Sequence, residues 1–240
     1  MRMKKTASFI KSLILFFRPG LWLGFLSNPL QWISNTLRLS IWISNNPVKG
    51  LNDFYSPVRD YSKRYKLYEE VLRHLSLNNV SIQYVELGVS KGLSFKWWLE
   101  NNAHTDSRFY GFDTFEGLPE KWGTFDKGSM AAGFPDVEDP RHEFIKGLFQ
   151  ETLPGFLISG KLTNNNRKIF HFDADLFSST LFALTTLHPF IQKNDILIFD
   201  EFNVPNHEFK AFMDYVDAYY VEYEVLAAVN NYFQIAVKII

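Results

Sequence analysis

A chain of 240 residues, 46% apolar and 17% aromatic but only 21% charged, can bury a full core and is too weakly charged for disorder. It contains no cysteine, which excludes disulfides, thiolate metal sites and cysteine nucleophiles and leaves the redox compartment open. The net charge of -1 conceals an asymmetry: residues 1–52 hold seven Lys/Arg and no Asp or Glu, which leaves -8 on residues 53–240, so no nucleic-acid partner is expected.

The cations of that first stretch are Arg2, Lys4, Lys5, Lys11, Arg18, Arg38 and Lys49. The uncharged run between Arg18 and Arg38 is interrupted by Pro19, Gly20, Asn28, Pro29 and Gln31, so it does not read as a spanning helix. Lys11 and Arg18 bracket too short an apolar run for a signal peptide. Residues 1–57 therefore read as a basic helical arm carrying Trp22, Trp32 and Trp42, outside a main domain of residues 58–240. The arm either packs on the catalytic domain or on a second subunit, the preferred reading, or lies peripherally on a membrane. A cytoplasmic location goes with either reading.

Tyr61, Tyr65, Tyr68, Leu72 and Leu75 recur at helical spacing and predict an amphipathic helix ending before Asn78-Asn79. Strands are predicted near 82–88, 108–113, 142–146, 168–173 and 195–200, and helices near 92–101, 150–159, 178–191 and 207–220. Alternation of this kind implies right-handed crossovers and a mainly parallel sheet covered on both faces. Tyr223–Val229 and Phe233–Ile240 are separated by three residues, too few for a crossover, and should form an antiparallel hairpin at the sheet edge.

Acidic residues end the buried strands: Glu86 lies just before Gly88, and Asp113, Asp173 and Asp200-Glu201 follow apolar runs. In an open α/β sheet these positions converge on the crevice beyond the strand ends, which points to an enzyme. The first turn, Gly88-Val-Ser90-Lys-Gly92, lacks the middle glycine of a dinucleotide-binding turn, so NAD is disfavoured. A carboxylate at Glu86 suits a cationic amine and Asp113 suits a ribose diol, and S-adenosylmethionine supplies both.

Five motifs in order then carry a resemblance: Glu86-Leu-Gly88-Val-Ser-Lys-Gly92, Asp113-Thr-Phe-Glu116-Gly117-Leu118-Pro119, Gly147-Leu-Phe149-Gln-Glu-Thr152-Leu153-Pro154, Asp173-Ala-Asp175-Leu-Phe-Ser178-Ser-Thr180 and Asp200-Glu201. From about Tyr61 to Ile240 the chain resembles the macrocin-type, metal-dependent sugar O-methyltransferases, which include the mycinamicin and novobiocin sugar-methylating enzymes. The chain departs from the family's usual Gly at Ala174, Tyr at Phe177 and Asp or Asn at Glu201. The resemblance implies a class I, Rossmann-like methyltransferase fold. It also implies an Mg²⁺-dependent O-methyltransferase that moves a methyl group from S-adenosylmethionine to a hydroxyl of a sugar or glycosylated small molecule. A catechol-like or other vicinal diol is the alternative acceptor, and a non-catalytic, membrane-associated protein that keeps the fold is the alternative of a different kind.

In that scheme Asp173, Asp200 and Glu201 are metal ligands and Asp173 is also the general base. The cofactor falls to Glu86, Gly88, Ser90, Gly92, Ser94, Asp113, Gly147 and Phe149. His171 reads as a core histidine; Asp175 either orients Ser178 or Thr180 at the next helix start, the preferred reading, or touches substrate. The segment 117–140, rich in Gly and Pro and carrying Trp122, Phe125 and Phe134, reads as a lid over the acceptor.

Overall fold

The computed structural model describes residues 2–240; the side chains of Arg2, Lys4 and Lys5, counted among the arm's cations, lie outside the described residues. Three helices come first, α1 (Arg2–Phe17), α2 (Gly20–Leu23) and α3 (Ser27–Asn45), followed by α4 (Lys63–His74). Then β1 (Ile82–Leu87), α5 (Leu93–Asn101), β2 (Arg108–Asp113), β3 (His142–Lys146), α6 (Phe149–Ile158), β4 (Arg167–Phe172), α7 (Phe177–Leu187) and β5 (Ile196–Phe199) alternate. The chain closes with α8 (Glu208–Tyr219) and the hairpin β6 (Tyr223–Val229) and β7 (Gln234–Ile239).

The seven strands form one sheet in the order β3-β2-β1-β4-β5-β7-β6. All neighbours from β3 to β5 pair in parallel, and β7 pairs antiparallel with both β5 and β6. This is the class I methyltransferase, Rossmann-like sheet with the expected antiparallel hairpin. Its strand order reverses between β1 and β4, where a crevice opens at the strand ends. Side-chain alternation along the strands sorts the core into two faces. Val85, Leu87, Phe170 and Phe172 pack towards α6, α7 and α8, whereas Ile82, Tyr84, Phe109 and Ile169 pack towards α4 and α5. Glu86 projects on the second face with Tyr84, so the crevice floor on that side carries a carboxylate among aromatics.

The arm divides in two. Asn35, Leu39 and Trp42 of α3 are buried, with Trp42 against Phe202 at 4.8 Å between ring centroids and its Nε1 donating to the Tyr223 hydroxyl at 2.7 Å. After α3 the backbone runs alongside β6: Lys49 and Gly50 N–H donate to the carbonyls of Val225 and Leu226, and Ala228 N–H donates to Leu51. The second half of the arm thus packs on the domain. From Thr6 to Ser34 every residue is exposed except the half-buried Pro19.

Candidate active site

A cavity of about 370 Å³ opens where the carboxyl ends of β1, β2, β4 and β5 meet. Its lining includes Glu86, Gly88, Ser90, Ser94, Asp113, Gly147, Phe149, Asp173, Asp200 and Glu201, so sequence-selected residues from five separate segments share one pocket. Gly92 is the exception. It does not line the cavity but starts α5 at φ +71°, where a Cβ would lie 2.7 Å from the Pro135 ring of the long loop.

The turn after β1 is held by Asp113. Its Oδ2 accepts the backbone N–H groups of Val89 (2.9 Å) and Ser90 (2.7 Å), and its Oδ1 accepts that of Phe115 (2.7 Å). Oδ1 accepts only one of these, and a carboxylate oxygen can accept twice. Gly88 has no alternative residue here: at φ +97° a Cβ would stand 1.9 Å from the Asp173 carbonyl oxygen. The ends of β1 and β4 are thus in backbone contact, and Asp173 N–H donates to Leu87. Gly147 follows β3 at φ +141° beside Thr152, and Phe149 packs on the core while lining the pocket.

Beneath this turn lies a buried polar chain that the motifs did not reveal. Tyr84 donates its hydroxyl proton to Glu86 Oε2 at 2.6 Å and stands 2.8 Å from His171 Nδ1, while the Tyr68 hydroxyl lies 3.4 Å from His171 Nε2 and 3.1 Å from the Ser94 hydroxyl. Burial, helped by the nearby Arg64 charge, pushes His171 down to about 3, so it is a neutral core histidine. Burial raises Glu86 to about 8 despite the Tyr84 hydrogen bond. Ser94 lines the cavity with its hydroxyl already engaged by Tyr68.

Across the pocket the carboxylates crowd. Burial raises Asp173, Asp200 and Glu201, the last to about 8, and mutual repulsion adds to the rise at Asp173 and Glu201. Arg64, on α4, stands between two of them: Nη2 reaches Asp200 Oδ2 at 2.7 Å and Nη1 lies 3.8 Å from Asp173 Oδ2. Burial opposes the Arg64 charge, but Asp200 and Asp173 hold its pKa above the ordinary value. Sequence reasoning passed over Arg64; the available signal was a cation four residues before Tyr68, on the helix face that also presents Leu67 and Val71 to the core. Asp175 is not a cap. The N-cap of α7 is Leu176, without a side-chain cap bond, Ser178 donates to Glu120 at 2.9 Å, and Asp175 lines the cavity at φ +58°, raised to about 6 chiefly by burial.

The donor chemistry fits a hard divalent cation. Asp200 Oδ1 and Glu201 Oε2 are buried and have no hydrogen-bond partner among the described residues. As they stand, however, no three acidic or histidine groups among the described residues are grouped to hold an ion, and Arg64 supplies the neighbouring positive charge.

The loop 117–140 folds back on the site. Gly117 turns at φ +86° under Ser129, Leu118 exchanges backbone bonds with Gly128 and Ser129, and Trp122 stacks on Phe125 at 5.5 Å and meets His207 edge-on. Leu118, Pro119 and Met130 reach the cavity.

Residues 85–202 match the model of a family described as a methyltransferase domain. Fold and domain together define the class: a class I methyltransferase, which takes its methyl group from S-adenosylmethionine. Among solved structures the chain is similar to CalS11, the calicheamicin methyltransferase, with 18% identity, a TM-score of 0.58 and coverage of 86% of this chain and 91% of that one. The apo form of CalS11, described as a TDP-rhamnose 3'-O-methyltransferase, gives 18% identity, a TM-score of 0.52 and coverage of 86% and 93%. The O-methyltransferase NovP gives 19% identity, a TM-score of 0.56 and coverage of 74% and 78%. At these identities the likeness is one of fold. No curated protein matches the chain.

Proposed function

We propose that this methyltransferase is an Mg²⁺-dependent enzyme that transfers the methyl group of S-adenosylmethionine to a hydroxyl of a sugar or glycosylated small molecule. One observation carries the reading: the ordered turn of Glu86, Gly88 and Asp113 lies on one side of the pocket and the Asp173, Asp200 and Glu201 carboxylates on the other, joined where Gly88 touches Asp173. The sulfonium substrate sits on the first side, with Asp113 accepting from its ribose hydroxyls, Glu86 facing its aminoacyl end, and Ser90, Ser94, Gly147 and Phe149 completing the walls. The acceptor hydroxyl approaches from the second side. An aliphatic hydroxyl is a poor nucleophile until its proton leaves, and Asp173 is placed to take that proton as oxygen bonds to the methyl carbon and the carbon–sulfur bond breaks. Burial and the Asp200 charge make Asp173 a stronger base than an ordinary carboxylate, and Arg64 moderates that effect.

Asp173, Asp200 and Glu201 would hold the ion, which when bound lowers the pKa of the acceptor hydroxyl and fixes its direction. Glu201 brings one more methylene than the Asp or Asn the resemblance expects, so its carboxylate reaches further from the end of β5. Loop 117–140 covers the acceptor, with Met130 and Leu118 excluding water. The sugar-modifying CalS11 and the O-methyltransferase NovP are compatible fold relatives.

Transfer of a labelled methyl group to a panel of nucleotide sugars and glycosides, with Mg²⁺ and with EDTA, tests the reading. Turnover of a sugar that EDTA abolishes and Mg²⁺ restores is the expected result. Full activity in EDTA would remove the metal, and turnover confined to catechols would remove the sugar.

A further inference from the structure

Two helices and the start of a third stand clear of the rest of the chain and expose a run of apolar residues from Phe9 to Ile33. Phe16, Leu21, Trp22 and Phe25 are 78%, 77%, 80% and 73% exposed, and Leu30 and Trp32 continue the surface along α3. Nothing among the described residues covers them, although single exposed apolar residues are normal and a continuous helical surface of them is not. We infer that this half of the arm, residues 6–34, lies in the interface of an anionic lipid bilayer and seats the catalytic domain on the membrane. The inference does not depend on the acceptor chemistry proposed above.

Charge selects the occupant. Residues 1–52 carry seven Lys/Arg and no carboxylate, and Lys11 and Arg18 form no ion pair among the described residues. Pairing two arms would bring two cationic surfaces together without a counter-ion, whereas an anionic headgroup layer supplies one along the whole length. Elsewhere the exposed apolar residues form smaller groups, Phe54, Tyr55, Val58 and Tyr61 on one segment and Phe125, Met130 and Phe134 on the long loop, and none is as long as the run from Phe9 to Ile33.

Geometry makes the arm lie in the interface. Among the described residues no single helix is long and apolar enough to cross a membrane, and the pair 6–17 and 20–45, which passes on length and composition together, is bent by 72°. With 16 residues α1 is about 24 Å long, short of a hydrocarbon core of about 30 Å, and the second half of α3 is fixed to the domain through Trp42. Trp22 and Trp32 stand where interfacial tryptophans are favoured. Asn35 donates to Asn206 at 2.9 Å and Trp42 packs on Phe202, so the arm meets the domain at the segment that follows β5.

Flotation of the full chain with vesicles decides the matter. The parent should float with phosphatidylglycerol-containing vesicles, and binding should fall about tenfold or more with pure phosphatidylcholine or in about 1 M salt, where the screening length is about 3 Å. Trp22→Glu combined with Phe25→Glu, both at exposed positions, should abolish flotation and leave the melting temperature and S-adenosylhomocysteine affinity unchanged. Absence of flotation by the parent overturns the inference. So does a sedimentation dimer that the double variant dissociates while vesicles are ignored, or a vesicle-bound form that resists alkaline carbonate, which would mean a crossing segment.

Discussion

The two sides of the pocket satisfy their carboxylates in opposite ways. Asp113 receives three backbone N–H groups at 2.7–2.9 Å, so the turn around it is complete before any ligand arrives. Asp173 and Asp200 share one arginine, Asp200 and Glu201 keep unpaired buried oxygens, and all three hold their protons more tightly than free carboxylates do. One side is a preorganised cradle, and the other is an electrostatic imbalance that a positive charge or a proton from an acceptor relieves. A fold that keeps both at adjacent strand ends can bind one substrate rigidly and activate the other.

Substitution at Asp173 separates the two sides most sharply. Asp173→Asn should lower turnover by about 10³-fold, in the range of lost general-base catalysis, with S-adenosylhomocysteine affinity unchanged in calorimetry. A parallel loss of both would mean that the sides are not independent. Gly88→Ala breaks the comparison instead, because its Cβ must push the ends of β1 and β4 apart. The expected loss is about 3 kcal/mol in chemical denaturation, with both activities impaired. A variant as stable as the parent would show that the strand ends can separate freely.

Asp113→Ala comes next in size. Losing a charge-assisted bond to the ribose should weaken S-adenosylhomocysteine binding by about 1.5–3 kcal/mol in calorimetry, and the released Val89 and Ser90 N–H groups lose their anchor too. Unchanged affinity would place the ribose elsewhere. The effect of Glu86 is one of pH dependence. Folded, it keeps its proton to about pH 8 against an ordinary value of 4.5, so its contribution to stability is full below about pH 4.5 and is lost as pH rises towards 8. Glu86→Gln should flatten that slope in melting curves of the ligand-free protein; parallel curves for parent and variant would mean that Glu86 is ionised in the fold.

The cradle was legible in the sequence, and the arm was only half so. Gly88, Asp113 and Asp173 sit at strand ends that hydrophobic runs delimit to within a residue or two, and strand ends are where an α/β sheet gathers its ligands. Arg64 and the Tyr84–His171–Tyr68 chain escaped notice because only tertiary packing brings α4 side chains to His171 and Asp200, and no local spacing encodes that approach. Asp175 was misread for a related reason: a left-handed backbone at that position turns its carboxylate into the cavity, and the N-cap passes to Leu176. In the arm, helicity and charge could be read from composition. The change from exposed to docked near Asn35 could not, since Trp22, Trp32 and Trp42 look alike until Tyr223 and Phe202 are placed beside one of them.

The strap of residues 49–52 along β6 gives the chain a temporal asymmetry. An open sheet edge invites pairing with foreign strands, and this strap covers the one that the hairpin presents. It leaves the ribosome long before β6, its docking surface, because the whole parallel sheet lies between them in the chain. While that sheet is being made the guard of the edge waits without its partner, and so does Trp42. The apolar helices ahead of them emerge earlier still, free to meet a bilayer before the catalytic domain exists.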